Sequence, residues 1–259
     1  MATLASAGNA VADRIHIGTS GWHYEAWKGP FYPEEMAAGD FLGYYAEHFQ
    51  TVEINNTFYQ LPDKETFVEW RSTVPEGFIF AVKANQYITH MKKLKDPEEP
   101  VSNLLGRIRT LEDKLGPILF QLPPHWNFNK ERLGRFLETL PDDLKCAFEF
   151  RDESWFNEEV YSLLEKHNAA FCIYHLAGRL SPKRVTSDLV YVRLHGPGGP
   201  YQGQYSDEEL GQWSKDLVVW SGEGREVFCY FDNDQAGYAA QDAQRLMQMI
   251  WQSNPDSTS

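Results

Sequence analysis

Short runs rich in β-branched and aromatic residues recur along the chain, separated by amphipathic stretches. The runs are Ile15–Thr19, Thr51–Asn55, Phe78–Ala84, Pro117–Leu122, Lys145–Phe150, Ala170–Tyr174, Leu189–His195 and Glu226–Asp232. Between them, apolar residues at three- and four-residue spacing predict helices. These cover Asp40–Phe49, Asp63–Thr73, Pro97–Leu115, Lys130–Leu140, Asn157–His167, Asp207–Ser221 and Gln235–Trp251. The gap at 177–188 offers at most a short helix. Two helix starts carry cap signals: Asp96 before Pro97 with Glu99 following, and Ser206 with Glu209 as a capping box.

Strand and helix alternating in this way predict an α/β fold with a parallel sheet and helices outside it. Eight strands are the number that closes a (β/α)₈ TIM barrel, and 259 residues suit one barrel. An open doubly wound sheet is the alternative, but no strand runs into a GxGxxG or a P-loop. The expected organisation is a disordered leader over 1–13, one barrel domain over 14–252 and a frayed tail over 253–259.

Alternate strand residues point to opposite faces. In the seventh run Val190, Val192 and Leu194 take the helix-facing side, leaving Tyr191, Arg193 and His195 inside. The same parity turns Cys146, Phe148 and Phe150 outward, and Val227, Cys229 and Phe231 likewise. The inward polar set is then Glu53, Asn55, Lys83, Gln121, Glu149, Arg151, Arg193, His195 and Asp232. Each falls near the C-terminal end of its strand, where barrel enzymes keep their active sites. Unpaired charge there is costly, so the set reads as a ligand site. The same residues, three acids against three bases, would also balance as a structural ring of ion pairs.

Two loops add candidates. After Gly21 come Trp22, His23, Tyr24, Trp27, Phe31 and Tyr32, rings that could stack on a base or sugar, or plug the barrel edge. After the seventh strand a Gly-rich loop, 196–205, ends at Tyr205 before the capped helix, an arrangement suited to an anion or to a mobile surface loop. His90 is a site residue or a loop histidine, and His16 a core histidine. GTSG at 18–21 is one residue short of a nucleophile elbow.

Composition narrows the partners. With 24 Lys and Arg against 37 Asp and Glu, the net charge is −13. A field of that sign disfavours extended duplex nucleic acid, and no basic stripe offsets it. No apolar run is long enough to span a membrane, and the start lacks a signal-peptide pattern. Cys146, Cys172 and Cys229 sit in apolar runs without a CxxC, which predicts buried strand thiols and a cytoplasmic protein.

Ordered motifs make the chain resemble the YecE-like family, domain of unknown function 72. They are GTSGW at 18–22, WxGxFYP at 27–33, VEINNTFY at 52–59, FxVK…ITH at 80–90, QLPP at 121–124, EFRxxSW at 149–155, YxRxHG at 191–196 and FxND from Phe231. The resemblance spans roughly 15–250 and implies a TIM barrel. It implies no settled activity, cofactor or catalytic residue.

From the residues themselves, the leading expectation is a hydrolase or lyase acting on a small phosphate-bearing ligand or a short single strand. Glu53, Glu149, His195 and Asp232 would be its catalytic groups, with Lys83, Arg151 and Arg193 clamping the anion. Trp22, Tyr24, Trp27, Asn55, Gln121 and Tyr205 would complete the binding surface. A divalent metal on the four catalytic groups is conceivable, although the neighbouring bases compete with it. The alternatives are a non-catalytic anion-binding protein and a carbohydrate hydrolase or isomerase, whose two glutamates stand on distant strands.

Overall fold

The structure is a computed structural model that describes residues 11–253. Eight parallel strands form its centre: β1 (Ile15–Thr19), β2 (Thr51–Ile54), β3 (Ile79–Lys83), β4 (Leu115–Gln121), β5 (Cys146–Glu149), β6 (Ala170–Leu176), β8 (Leu189–Leu194) and β9 (Glu226–Phe231). They neighbour one another in the order β1-β9-β8-β6-β5-β4-β3-β2. The added pair β7 (Arg179–Leu180) folds back antiparallel on β6. It occupies the gap where the sequence offered at most a short helix.

Helices α1 (Phe41–Ala46), α2 (Lys64–Thr73), α3 (Glu98–Ile108), α4 (Lys130–Thr139), α5 (Glu158–Lys166), α6 (Asp207–Gly222) and α7 (Tyr238–Ser253) lie between the strands. The Ser206–Glu209 capping box forms as expected. The Asp96 cap does not. Asp96 adopts a left-handed φ of 44°, Pro97 stands at the cap position, and no side chain accepts there. The expected helix to residue 115 stops earlier, because Glu112 turns left-handed (φ 54°) in a tighter 3-10 segment and β4 begins at Leu115.

Closure between β1 and β2 is the least regular seam. One parallel bridge, Ser20 to Glu53, joins them. Below it the Tyr45 hydroxyl from α1 enters the seam, accepting from Thr19 N (2.9 Å) and donating to Thr51 O (3.0 Å). Gly18 permits this approach, since a Cβ there would meet Thr51 O at 2.2 Å. A side chain thus satisfies backbone groups that a full ladder would have paired.

The packing separates into two layers that follow strand parity. Val190, Val192, Leu194, Phe148, Phe150, Val227, Cys229 and Phe231 join the helices in the outer core. Ala81, Leu119, Ala147, Ala170, Cys172, Leu189, Tyr191, Phe228 and Tyr230 fill the barrel interior. All three cysteines are buried and free. Small residues on β3 and β5 face large rings on β8 and β9, so the lower barrel is solid and the polar set sits above that floor. The expected leader and tail fall outside the described residues apart from 11–13 and 253. Within that part, Val11 O accepts from Ser221 Oγ of α6.

Candidate functional site

The centre of the mouth is Arg193 at the end of β8, fully buried. Its Nη1 donates to Glu149 Oε2 (2.9 Å), and its Nη2 to Glu53 Oε1 (2.7 Å), Asp232 Oδ2 (2.9 Å) and Ser20 Oγ (3.1 Å). Parity aims β2, β5 and β8 at one point, and the planar guanidinium reaches three carboxylates at once. Glu53 also accepts from Tyr191 OH (2.7 Å), and Glu149 from Gln121 Nε2 (2.8 Å) and from Arg151. Burial works to raise the Glu149 carboxyl, but Arg151 and Arg193 outweigh it and hold it well below the usual range. Asp232 is held down in the same way, burial being overcome by Arg193 and His195.

His195, also fully buried, joins the hub. Its Nε2 lies 3.1 Å from Arg151 Nη2 and 3.3 Å from Arg193 Nη1. Guanidinium nitrogens only donate, so Nε2 carries the lone pair and Nδ1 the proton. Nδ1 lies 2.9 Å from Asp232 Oδ2, close to it but off the line of a hydrogen bond.

Around this hub stand further polar groups, some of them without a partner. Lys83, at the end of β3, is the only buried lysine among the described residues, at 7% exposure. Its Nζ sits 4.4 Å from the centre of the Phe58 ring. Among the described residues no carboxylate oxygen comes within 4.0 Å of it. Burial, then Arg193, lower its pKa to about 8. Arg151 is nearly buried, stacked 4.9 Å over Tyr174. His90 lies in a π-helical turn, Tyr87–Met91, and burial, Lys83 and Arg151 lower its pKa. Asp234 is half-buried just past β9, and its Oδ1 has no hydrogen-bond partner. Burial and the neighbouring Asp232 raise its pKa to about 7. Asn55 Oδ1 is likewise buried without a partner.

The structure therefore brings together Glu53, Gln121, Glu149, Arg151, Arg193, His195 and Asp232, with Lys83 beside them. It places the aromatic candidates differently. Trp22 packs against Trp70 and Phe80 in the outer core. Trp27, 0% exposed, is enclosed by Tyr24, Phe31 and Tyr32 and donates Nε1 to Asp234 O (3.1 Å). Neither offers a face for stacking. Tyr24 stays partly exposed and donates to Ser20 O (2.6 Å), beside the hub.

Tyr205 is a loop anchor: its hydroxyl meets His175 Nδ1 (3.0 Å) and accepts from Gly196 N (3.1 Å). Gly196 is required there, since a Cβ would lie 2.3 Å from Gln202 O at a φ of 105°. The N–H groups of Gly196, Tyr201, Gln202, Gly203 and Tyr205 are spent inside the protein, as are those of Ser206 and Glu209 in the capping box of α6. The Gly-rich loop instead brings Tyr201 against His195, with ring centroids 5.5 Å apart. Sequence parity missed Asp234, Ser20 and Tyr201, because all three lie beyond strand ends.

The metal alternative meets a physical obstacle. Glu53, Glu149 and Asp232 do converge, but they converge on Arg193, whose N–H groups hold the oxygens a cation would need. Among the described residues no group of three or more His, Cys, Asp or Glu is arranged to hold a metal ion. No described helix is long and apolar enough to cross a membrane. A cleft of about 530 Å³ lies beside the mouth between Leu61, Asn85, Ile88 and the start of α3, away from the hub.

Comparison with known proteins gives the chain as a whole its relatives. A family model described as "Protein of unknown function DUF72" matches residues 16–258. The UPF0759 protein YunF of Bacillus subtilis is 27% identical over 269 residues, covering 91% of this chain and 94% of YunF. The UPF0759 protein YecE of Escherichia coli K12 is 30% identical over 144 residues, 55% of this chain and 50% of YecE. A crystal structure of a DUF72 family protein from Thermotoga maritima superposes with a TM-score of 0.83 at 34% identity, covering 91% of this chain and 98% of that one.

Proposed function

Because this chain belongs to the DUF72 family, whose description assigns no activity, we propose its function from the mouth alone: it binds a small anionic ligand between Lys83 and Arg151. Asp234 is the group suited to exchange a proton with that ligand near neutral pH. One observation carries the reading. Lys83 is buried with no carboxylate oxygen of the described residues within 4.0 Å, although Glu53, Glu149 and Asp232 act on it from the adjacent hub. A desolvated cation without a directly bonded counter-ion is expensive, and an incoming anion would make the contact that the hub carboxylates, spent on Arg193, do not. Arg193 and His195 then act as positioning residues, since both are fully enclosed, both Arg193 Nη atoms are spent on carboxylates and His195 Nε2 is held by Arg151.

A small ligand is favoured over a single strand, because strand binding leans on stacking rings and Trp22 and Trp27 are packed in the core. Hydrolase or lyase chemistry on a phosphorylated substrate fits the same groups. The test is thermal unfolding in inorganic phosphate against chloride at equal ionic strength. A ligand at a hundred times its Kd adds about 2.7 kcal/mol. Phosphate should raise the Tm of the wild type beyond chloride, and should not do so in Lys83→Met. Equal shifts in the two proteins would reduce the effect to general salting and sink the reading.

A further inference from the structure

We propose that Lys83 is a covalent centre: its amine condenses with the carbonyl carbon of an anionic aldehyde or ketone to form an imine. This rests on the anion site proposed above and names the substrate class it would take. Three observations carry it. The first is position, since Lys83 closes β3 at the C-terminal mouth and its carbonyl accepts from Thr57 Oγ1 (2.7 Å), which fixes the backbone beneath the side chain. The second is burial without a bonded partner: Lys28, Lys92, Lys95, Lys130, Lys145 and Lys183 are ion-paired, Lys114 is held by two carbonyls, and Lys64, Lys93, Lys166 and Lys215, which have no ion pair among the described residues either, are not buried. Lys83 has only an aromatic face beside it. The third is a neighbourhood that holds both a cation for the substrate's anionic end, Arg151, and a group that can carry a proton, His90.

The step balances without a redox partner. Lys83 Nζ first gives up a proton, for which His90, kept neutral by burial and the nearby cations, is an acceptor. The nitrogen lone pair then attacks the carbonyl carbon while the C=O π pair moves to oxygen, which takes a proton. Nitrogen loses its second proton, the hydroxyl leaves protonated as water, and a C=N bond replaces C=O. Burial helps the first step. At pH 7.5 roughly a quarter of a lysine with pKa about 8 is free amine, against about one in a thousand for an ordinary lysine.

The experiment traps the imine in the folded wild-type protein. Glyceraldehyde 3-phosphate is added at pH 7.5 with cyanoborohydride, which reduces C=N to a stable secondary amine, and the modified lysine is located by peptide mass mapping. Lys83 should be labelled at least about tenfold faster than any exposed lysine, given its larger amine fraction. The preference should shrink with uncharged glyceraldehyde and with inorganic phosphate as competitor. It should vanish in Lys83→Arg, whose folding is checked by its Tm. Labelling of Lys83 no faster than of exposed lysines overturns the imine. If phosphate still stabilises the protein through Lys83, the anion site stands without covalent chemistry. If it does not, both readings fall together.

Discussion

At the N-terminal end of the barrel, His16 of β1, Lys145 before β5 and Glu226 of β9 form a small polar cluster. At the C-terminal end, Arg193 gathers Glu53, Glu149 and Asp232. The lower cluster is paired out. His16 Nε2 lies 3.3 Å from one Glu226 oxygen, Lys145 takes the other, and all three side chains keep contact with water. The upper cluster is enclosed, and it leaves a remainder: a Lys83 with no ion pair within 4.0 Å among the described residues, and an Asp234 oxygen and an Asn55 oxygen without a hydrogen-bond partner. Ion pairing therefore does not by itself mark a site, since both ends have it. What sets the mouth apart is that Lys83, Asp234 and Asn55 gather there with bonding capacity that the ligand proposed above would take up.

The largest effect should come from breaking the upper cluster at its hub. Arg193→Met leaves three buried carboxylates facing one another and should cost about 3–5 kcal/mol or abolish folding, measured by urea unfolding. Lys145→Met at the lower end removes a half-exposed partner and should cost under about 1 kcal/mol. Similar costs for the two substitutions would show that burial of the hub matters less than its geometry suggests.

The remainder predicts a different sign. Lys83 has a folded-state pKa near 8, below the ordinary 10.5, so between these values the unfolded chain holds a proton that the folded one does not. Stability from this group therefore rises with pH across pH 8 to 10.5, by up to a few kcal/mol. Lys83→Met should remove that rise and leave stability at pH 7 unchanged or slightly higher. Asp234 runs the other way. Its pKa is raised from 3.8 to about 7, so the folded state holds the extra proton and stability falls as pH climbs through that window. Asp234→Asn, which mimics the protonated form, should flatten this fall and gain about 1 kcal/mol at pH 8. Parallel pH profiles for wild type and variant would remove Asp234 from the proton-exchanging role.

How much of this was legible in the sequence depended on whether a residue had a strand to count from. Parity separated Val192 from Arg193 and Phe148 from Glu149 because the period of two is rigid and one face must meet helices. It could not distinguish Arg193 from Lys83, both inward cations, since which one is saturated depends on side-chain reach across the barrel. Trp22 and Trp27 sit in a loop with no period, so their direction was open, and burial of large rings prevailed over display. Asp234 lay one turn past the last countable residue. The acidic and amide run Asp232-Asn233-Asp234 was its only signal. The Tyr45 hydroxyl in the β1–β2 seam had none, because an α1 tyrosine reads as ordinary core until the missing ladder is seen.

The smallest predicted effect belongs to the lower cluster and sharpens the contrast from its other side. Hydrogen bonding from His16, with Lys145 adding to it against the cost of burial, lowers the Glu226 carboxyl from 4.5 to about 2. A depressed carboxyl contributes stability that is present above its unfolded value and is lost as pH falls from about 4.5 towards 2. Partial exposure limits that contribution to about 1 kcal/mol. Glu226→Gln should therefore lower stability slightly at pH 7, make the protein less sensitive to acid between pH 4.5 and 2, and leave phosphate-dependent stabilisation as it is in the wild type. Acid titration of unfolding free energy checks the first two and the phosphate Tm shift the third. A loss of phosphate response in this variant would mean that the two ends are coupled through β9, and that the lower cluster belongs to the site after all.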